Sequence, residues 1–273
     1  MNKMFTAVSI LQLVEAGKIQ PTDPLGKYVK DYPNADVASK VTIHQLLTHT
    51  GGTGDIFGPE FNAHRKELRT HTDYLTLYGK RGPGFDPGSR FAYSNYGFVL
   101  LGVVIERVTG GSYYDYVRDH VYKPAGMTSS GSLSEDETVP DRSAGYMKAP
   151  GDNTWRPNTD TLPYSGTSAG GGYSTVQDLL AFANALTGHK LLNAHYTDLL
   201  TTGKVDAQGG RYAYGFEDAR AEGGSFGHGG GAPGMNGDLR IYPQSGYVIA
   251  VLANLDPPAA SQISNFIGAR LPR

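Results

Sequence analysis

Tyr93, Ser94 and Asn95 open the stretch FAYSNYGFVLLGVVIERVT at 91–109, behind a Pro87-Gly88 turn. On extended or turning backbone, Tyr93 and Asn95, one residue apart, can face the same cleft. A phenol and a carboxamide so placed can handle a proton and hold a polar group. Val99, Leu100, Val103, Val104 and Val108 follow at helical spacing, so a buried helix would hold the pair rigidly at its entrance. The plainer alternative is that both residues only cap that helix.

A second charged group, Lys3, stands at the start of another apolar run, KMFTAVSILQLVEA at 3–16, which Gly17 stops. A cation there meets the unfavourable end of the helix dipole, unless it is simply solvated. A core helix that begins with almost no lead-in predicts that something upstream is absent. Other chemistries are narrowed by composition. No cysteine is present, which removes disulfides, thiolate metal sites and cysteine nucleophiles together. His44 and His49 are five apart and no H-E-x-x-H occurs, so both read as structural, and no metal is expected. Gly166-Thr167-Ser168-Ala169-Gly170 and Gly223-Gly224-Ser225-Phe226-Gly227 both fit G-x-S-x-G. In a chain this rich in glycine and serine, chance supplies roughly a third of one such match. An elbow must follow a buried strand, and TLPYS before the first match is not one; Ser168 as nucleophile is a minor alternative, and Ser225 equally minor.

The 273 residues can bury a large core, as one domain or two interleaved ones. A formal net charge of -2, with no Lys/Arg run longer than two, argues against nucleic acid or an anionic membrane as the main partner. No apolar run reaches the ~18 residues that span a bilayer. The N-terminus lacks the layout of a secretory signal, and an extracytoplasmic location follows if a signal preceded Met1. The elements expected in order are a short helix capped by Thr42, a polar rim at 53–90 with one helical stretch near 70–79, and an amphipathic helix ended by Pro124 and Gly126. An irregular wall at 129–165 follows, then a helix capped by Ser174 or Thr175. From 210 onward the period changes to strands at 224–229, 236–242 and 247–254, with a last helix at 258–269. The reading is α+β: a mostly helical region, 1–205, and an antiparallel sheet with its C-terminal helix, 206–273.

Several of these stretches together resemble one family: Lys3 at a helix start, VTIHQLLTHTGG at 41–52, PGSRFAYSNYGFVLLGVVIERVTG at 87–110, KPAGM at 123–127, SAGGGYST at 168–175 and GHGGGAPGMNG at 227–237. They are similar to the serine β-lactamase-like family, which includes class C β-lactamases, D-alanyl-D-alanine carboxypeptidases, D-aminopeptidases and related esterases. The resemblance runs in the family's order over essentially the whole chain. The family's motifs are Ser-x-x-Lys, Tyr-x-Asn and Lys/His-x-Gly. Tyr93-Ser94-Asn95 matches the second and His228-Gly229-Gly230 the third. Met1-Asn2-Lys3 fits the end of the first, and no serine in the chain lies three residues before a lysine.

The resemblance implies a serine hydrolase that works through an acyl-serine on a small ester, amide or peptide, without a cofactor. Lys3, Tyr93 and His228 would be catalytic. Asn95, Gly229, Gly230 and Gly231 would bind substrate, with the Gly231 N–H in the oxyanion hole. His228 in place of lysine points toward peptidase or esterase relatives. The chain is expected to start one residue after its own nucleophile, and so not to acylate by itself. A catalytically silent binding or interaction protein on the same scaffold is the alternative. Two N-terminal strands that the family sets beside 247–254 would be missing, which leaves an apolar edge open to self-association.

Overall fold

The computed structural model describes residues 1–148, 151, 153–207, 210–222 and 224–272, except for the side chain of Glu222. Six helices come first: α1 (Asn2–Glu15), α2 (Ala35–Lys40), α3 (Ile43–Leu47), α4 (Pro59–His64), α5 (His71–Tyr78) and α6 (Asn95–Thr109). α7 (Tyr113–Val117) runs through a π-helical turn, Arg118–Tyr122, into α8 (Lys123–Ala125). A two-stranded ribbon, β1 (Tyr146–Lys148) with β2 (Trp155–Pro157), precedes α9 (Val176–Thr187) and α10 (Ala194–Thr201). The remaining strands are β3 (Val205–Ala207), β4 (Gly210–Tyr212), β5 (Glu217–Asp218), β6 (Phe226–Ala232), β7 (Met235–Tyr242) and β8 (Tyr247–Ala253). They form one antiparallel sheet in sequence order. α11 (Ala259–Gly268) packs across β7 and β8. The fold is α+β, with an antiparallel sheet flanked by helices.

α1 is central because it is apolar on nearly every face, with twelve of its fourteen residues buried. α6 packs on it and is buried from Tyr96 through Ile105. The cap of α6 is Ser94, whose Oγ accepts the Gly97 N–H at 2.9 Å. Tyr93 and Asn95 are therefore released from the capping role that the sequence left open to them. Thr42 caps α3 in a reciprocal capping box with Gln45, and Thr175 caps α9.

Three departures from the expected elements are local. The 113–125 helix continues past Pro124 and ends at Gly126, with φ +78°. The widened π turn before Pro124 accommodates a residue with no N–H to give. β3, β4 and β5 are two or three residues long, too short for alternation to register, and α10 was likewise not anticipated. β8 is the outer strand of its sheet, so its free edge carries no strand partner among the described residues. Beyond its end, the Tyr146 N–H donates to the Asn254 carbonyl.

Candidate active site

Lys3 lies in the first turn of α1 and is 2 % exposed. Its Nζ donates to Asn95 Oδ1 at 2.7 Å and to the Ala169 carbonyl at 2.6 Å. Burial is the main force on its ammonium and brings its pKa down to about 7; the Asp55 carboxylate opposes that shift without cancelling it. A lysine so placed can gain and lose a proton near neutrality.

Asn95 begins α6, and its carboxamide is oriented without ambiguity. Its Nδ2 donates to Asp55 Oδ2 at 2.9 Å and Oδ1 at 3.1 Å, so Oδ1 must be the atom that faces Lys3. Asp55 is itself fixed by the Ile56 and Phe57 N–H groups that donate to its Oδ1. Asp55 was not singled out from the sequence, where 53–90 read as a polar rim. An aspartate that opens a loop by accepting the next backbone N–H groups is common, and nothing local marks it as Asn95's partner. Ala169 was missed because its contribution is a carbonyl. The 167–169 loop is docked on α1 by Asn2 Nδ2 to the Thr167 carbonyl, 3.1 Å, and Thr6 Oγ1 to the Ser168 carbonyl, 2.7 Å.

Tyr93 stands at the mouth of the cleft, 45 % exposed. Lys3 Nζ lies over its ring, 4.8 Å from the centroid, so this contact is to the π face. The dense surroundings desolvate the phenol and, with Glu217 and Asp55, push its pKa up. The hydroxyl therefore keeps its proton at neutral pH.

His228 on β6 is 3 % exposed, its ring 6.3 Å from that of Tyr93. Its Nε2 pairs with Tyr212 Oη at 2.9 Å and its Nδ1 with the Gly229 carbonyl. Burial, then the Met1 amine and Lys3, hold its pKa well below the usual histidine range. Both of its ring nitrogens are engaged away from Tyr93.

The glycines that follow let β6 approach α1. A Cβ on Gly230 would lie 3.1 Å from the Met1 backbone nitrogen, and one on Gly231 would meet Pro257 Cγ at 2.4 Å. A Cβ on Gly229 would sit 3.3 Å from Asp238 Oδ1. Lys3, Tyr93, Asn95 and His228, distant in sequence, are thus brought to one cleft between the N-termini of α1 and α6 and the strand β6.

Ser168 is elsewhere. It is fully buried, and its Oγ has no hydrogen-bond partner among the described residues. His71 Nε2, the atom that would have to take its proton, accepts the Ser168 backbone N–H instead, at 3.2 Å. Of the other G-x-S-x-G match, Gly223 lies outside the described residues, and Ser225 is buried. Among the described residues no group of His, Asp and Glu could hold a metal ion, and no helix is long and apolar enough to cross a membrane.

An antiparallel sheet flanked by helices, with a buried lysine facing a Tyr-x-Asn turn and a His-Gly-Gly strand, has the fold of penicillin-binding proteins. Residues 1–271 match the Beta-lactamase family, and the chain belongs to that family of serine hydrolases. It is 32% identical over 253 residues to the putative penicillin-binding protein PbpX of Bacillus subtilis (strain 168), with 92% of this chain and 59% of that protein covered. The chain thus spans somewhat over half the length of that relative. The crystal structure of a penicillin-binding protein from Bacillus halodurans superposes with a TM-score of 0.90 at 35% identity, covering 98% of this chain and 84% of that one. A D-stereospecific amidohydrolase from Streptomyces sp. gives 0.85 at 28% identity, with the same coverages.

Proposed function

We propose that this site transfers acyl groups from small amides or esters through a serine hydroxyl presented beside Lys3. Neutral Lys3 takes the serine proton as the oxygen bonds to the substrate carbonyl carbon, and the carbonyl π electrons move to its oxygen. The Gly231 N–H is assigned to that oxyanion. As the tetrahedral centre collapses, the bond to the leaving amine or alcohol breaks, and Tyr93, still protonated, donates to it and recovers a proton from Lys3. Water repeats the sequence on the acyl-serine. The supporting observation is the meeting of Lys3, Asn95, Tyr93 and β6 at one cleft, with the lysine poised near neutrality. D-configured amino-acid amides and peptides are the favoured substrates, in line with the name of the D-stereospecific amidohydrolase.

In residues 1–273 no serine precedes a lysine by three, and Lys3 bonds to Asn95 and Ala169. The 273-residue chain by itself is therefore expected to resist serine-directed reagents. The test is fluorophosphonate labelling of this chain and of the chain with one serine placed immediately before Met1. Labelling of the added serine alone is the expected result. Labelling of Ser168 would favour the G-x-S-x-G reading, and no labelling of either chain would favour a noncatalytic scaffold.

Self-association belongs to the same reading. The free β8 edge is flanked by exposed Leu252 and Leu255, with Ile263, Phe266 and Ile267 on α11, and a second copy paired edge to edge is its proposed occupant. Light scattering should give a dimer that Leu252→Lys weakens; a monomer at high concentration would contradict this.

A further inference from the structure

Behind the cleft runs a line of buried polar groups that the proposed chemistry does not use. The Ser94 backbone N–H donates to His49 Nδ1 at 3.1 Å; His49 Nε2 lies 3.0 Å from Tyr212 Oη; and Tyr212 Oη lies 2.9 Å from His228 Nε2. His228 Nδ1 faces the Gly229 carbonyl. His49, Tyr212 and His228 are all buried.

The proton positions follow from the two ends. A backbone N–H can only donate, so His49 Nδ1 is bare and its Nε2 carries the hydrogen. A carbonyl can only accept, so His228 Nδ1 carries the hydrogen and its Nε2 is bare. These two deductions are independent. They meet at Tyr212, whose hydroxyl has one hydrogen to give and a lone pair to offer. It must accept from His49 and donate to His228, and every donor then has an acceptor. Reversing any link sets two hydrogens or two lone pairs against each other in a dry interior.

We propose that His49 and Tyr212 are positioning residues that hold His228 as its Nδ1–H tautomer, through a one-way chain from Ser94 to Gly229. The backbone has been bent to serve this chain: His49 sits at φ +57°, in the left-handed region that side chains seldom adopt. The same bend lays its ring 4.2 Å from that of Tyr93. The chain thus ties the Tyr-x-Asn turn to the His-Gly-Gly strand across the back of the site, and it fixes their separation. Lys3, Glu217, Arg240 and the Met1 amine face this line from α1 and the sheet. Both imidazoles are held uncharged among them, and Lys3 is the cation there that titrates near neutrality. The inference rests on the site proposed above, but its readout is independent of hydrolysis.

The test is two-bond ¹H–¹⁵N correlation of the histidine rings in the ¹⁵N-labelled 273-residue chain at neutral pH, with His49 and His228 assigned from His49→Gln and His228→Gln variants. Opposite tautomers are expected, Nε2–H at His49 and Nδ1–H at His228. Tyr212→Phe, which keeps the ring and removes the hydroxyl that donates to Nε2, leaves the Gly229 carbonyl as the sole constraint; the His228 Nε2 resonance should lose its hydrogen-bonded shift and the Nε2–H fraction should rise above the parent's. Phe91→Leu, which alters a ring packed 5.6 Å from Tyr212 without touching a hydrogen bond, should leave both patterns intact. An Nε2–H or doubly protonated His228 in the unaltered chain would overturn the proposal, even if Tyr212→Phe failed to fold. So would a Tyr212→Phe spectrum identical to the parent's. Tautomers as expected in a chain that fails to acylate after addition of the serine would remove the hydrolase reading and leave this one standing.

Discussion

Two polar trios lie against α6, and each holds residue types found in hydrolases. Lys3, Asn95 and Asp55 gather at its N-terminus; Ser168, His71 and Glu106 gather along its flank, with His71 Nδ1 on Glu106 Oε1 at 3.0 Å. The second set has the composition of a Ser-His-Glu triad, complete with a G-x-S-x-G motif. Yet Gly102, which both Ser168 and His71 crowd, is seven residues into α6, roughly 10 Å below the end that opens to solvent at Tyr93. Depth and the direction of one hydrogen bond separate the trios: Ser168 offers His71 its backbone N–H and buries its hydroxyl unpaired. A motif names the residues, but the end of the helix they occupy decides whether a substrate can meet them.

The contrast can be broken by substitution. In a chain carrying the serine before Met1, Lys3→Met should slow acylation about 10²–10⁴-fold, the range for loss of a positioned base, as read by labelling kinetics. A loss below about tenfold would move the chemistry elsewhere. Gly102→Ala should cost about 1–3 kcal/mol in urea unfolding, because its Cβ would come 2.4 Å from Ser168 Oγ. Adding Ser168→Ala should restore part of that loss, so the two changes should not sum. Asp55→Ala removes the carboxylate that supports the Lys3 ammonium. The lysine pKa then falls below about 7, and because the neutral amine is the base, the rising limb of the pH–labelling profile should move to lower pH. A shift to higher pH would contradict this assignment. Ser168→Ala alone should leave labelling unchanged and stability equal or up to about 1 kcal/mol higher, since the hydroxyl it deletes is buried without a partner. A large loss of labelling would put the sealed trio back in contention.

Much of the scaffold was legible in the sequence because it rests on long periodic runs and on punctuation. α1 and α6 are marked by apolar spacing, α3 and α9 by their caps at Thr42 and Thr175, and β6, β7 and β8 by the change of period after residue 210. β3, β4 and β5 left no trace because a strand of two or three residues has no period to detect. Within the site, Lys3, Tyr93, Asn95 and His228 were named through motifs. Asp55 and the Ala169 carbonyl were not, since they act by holding Lys3 and Asn95 and carry no pattern of their own. His49 reads as structural from its spacing to His44. That excluded a metal pair on one helix, but it could not reveal a partner, Tyr212, 163 residues away.

Acyl transfer at this cleft requires Lys3 to be a buried amine that titrates near neutrality while bonded to Asn95 and Ala169. The direct measurement is the side-chain ¹⁵N shift of Lys3 in the 273-residue chain followed from pH 5 to 11, with Lys3→Met identifying the signal. A midpoint at about 7 is the predicted result. A midpoint at or above the ordinary lysine value of about 10.4 would mean that the ammonium is solvated and that the cleft has no base to offer.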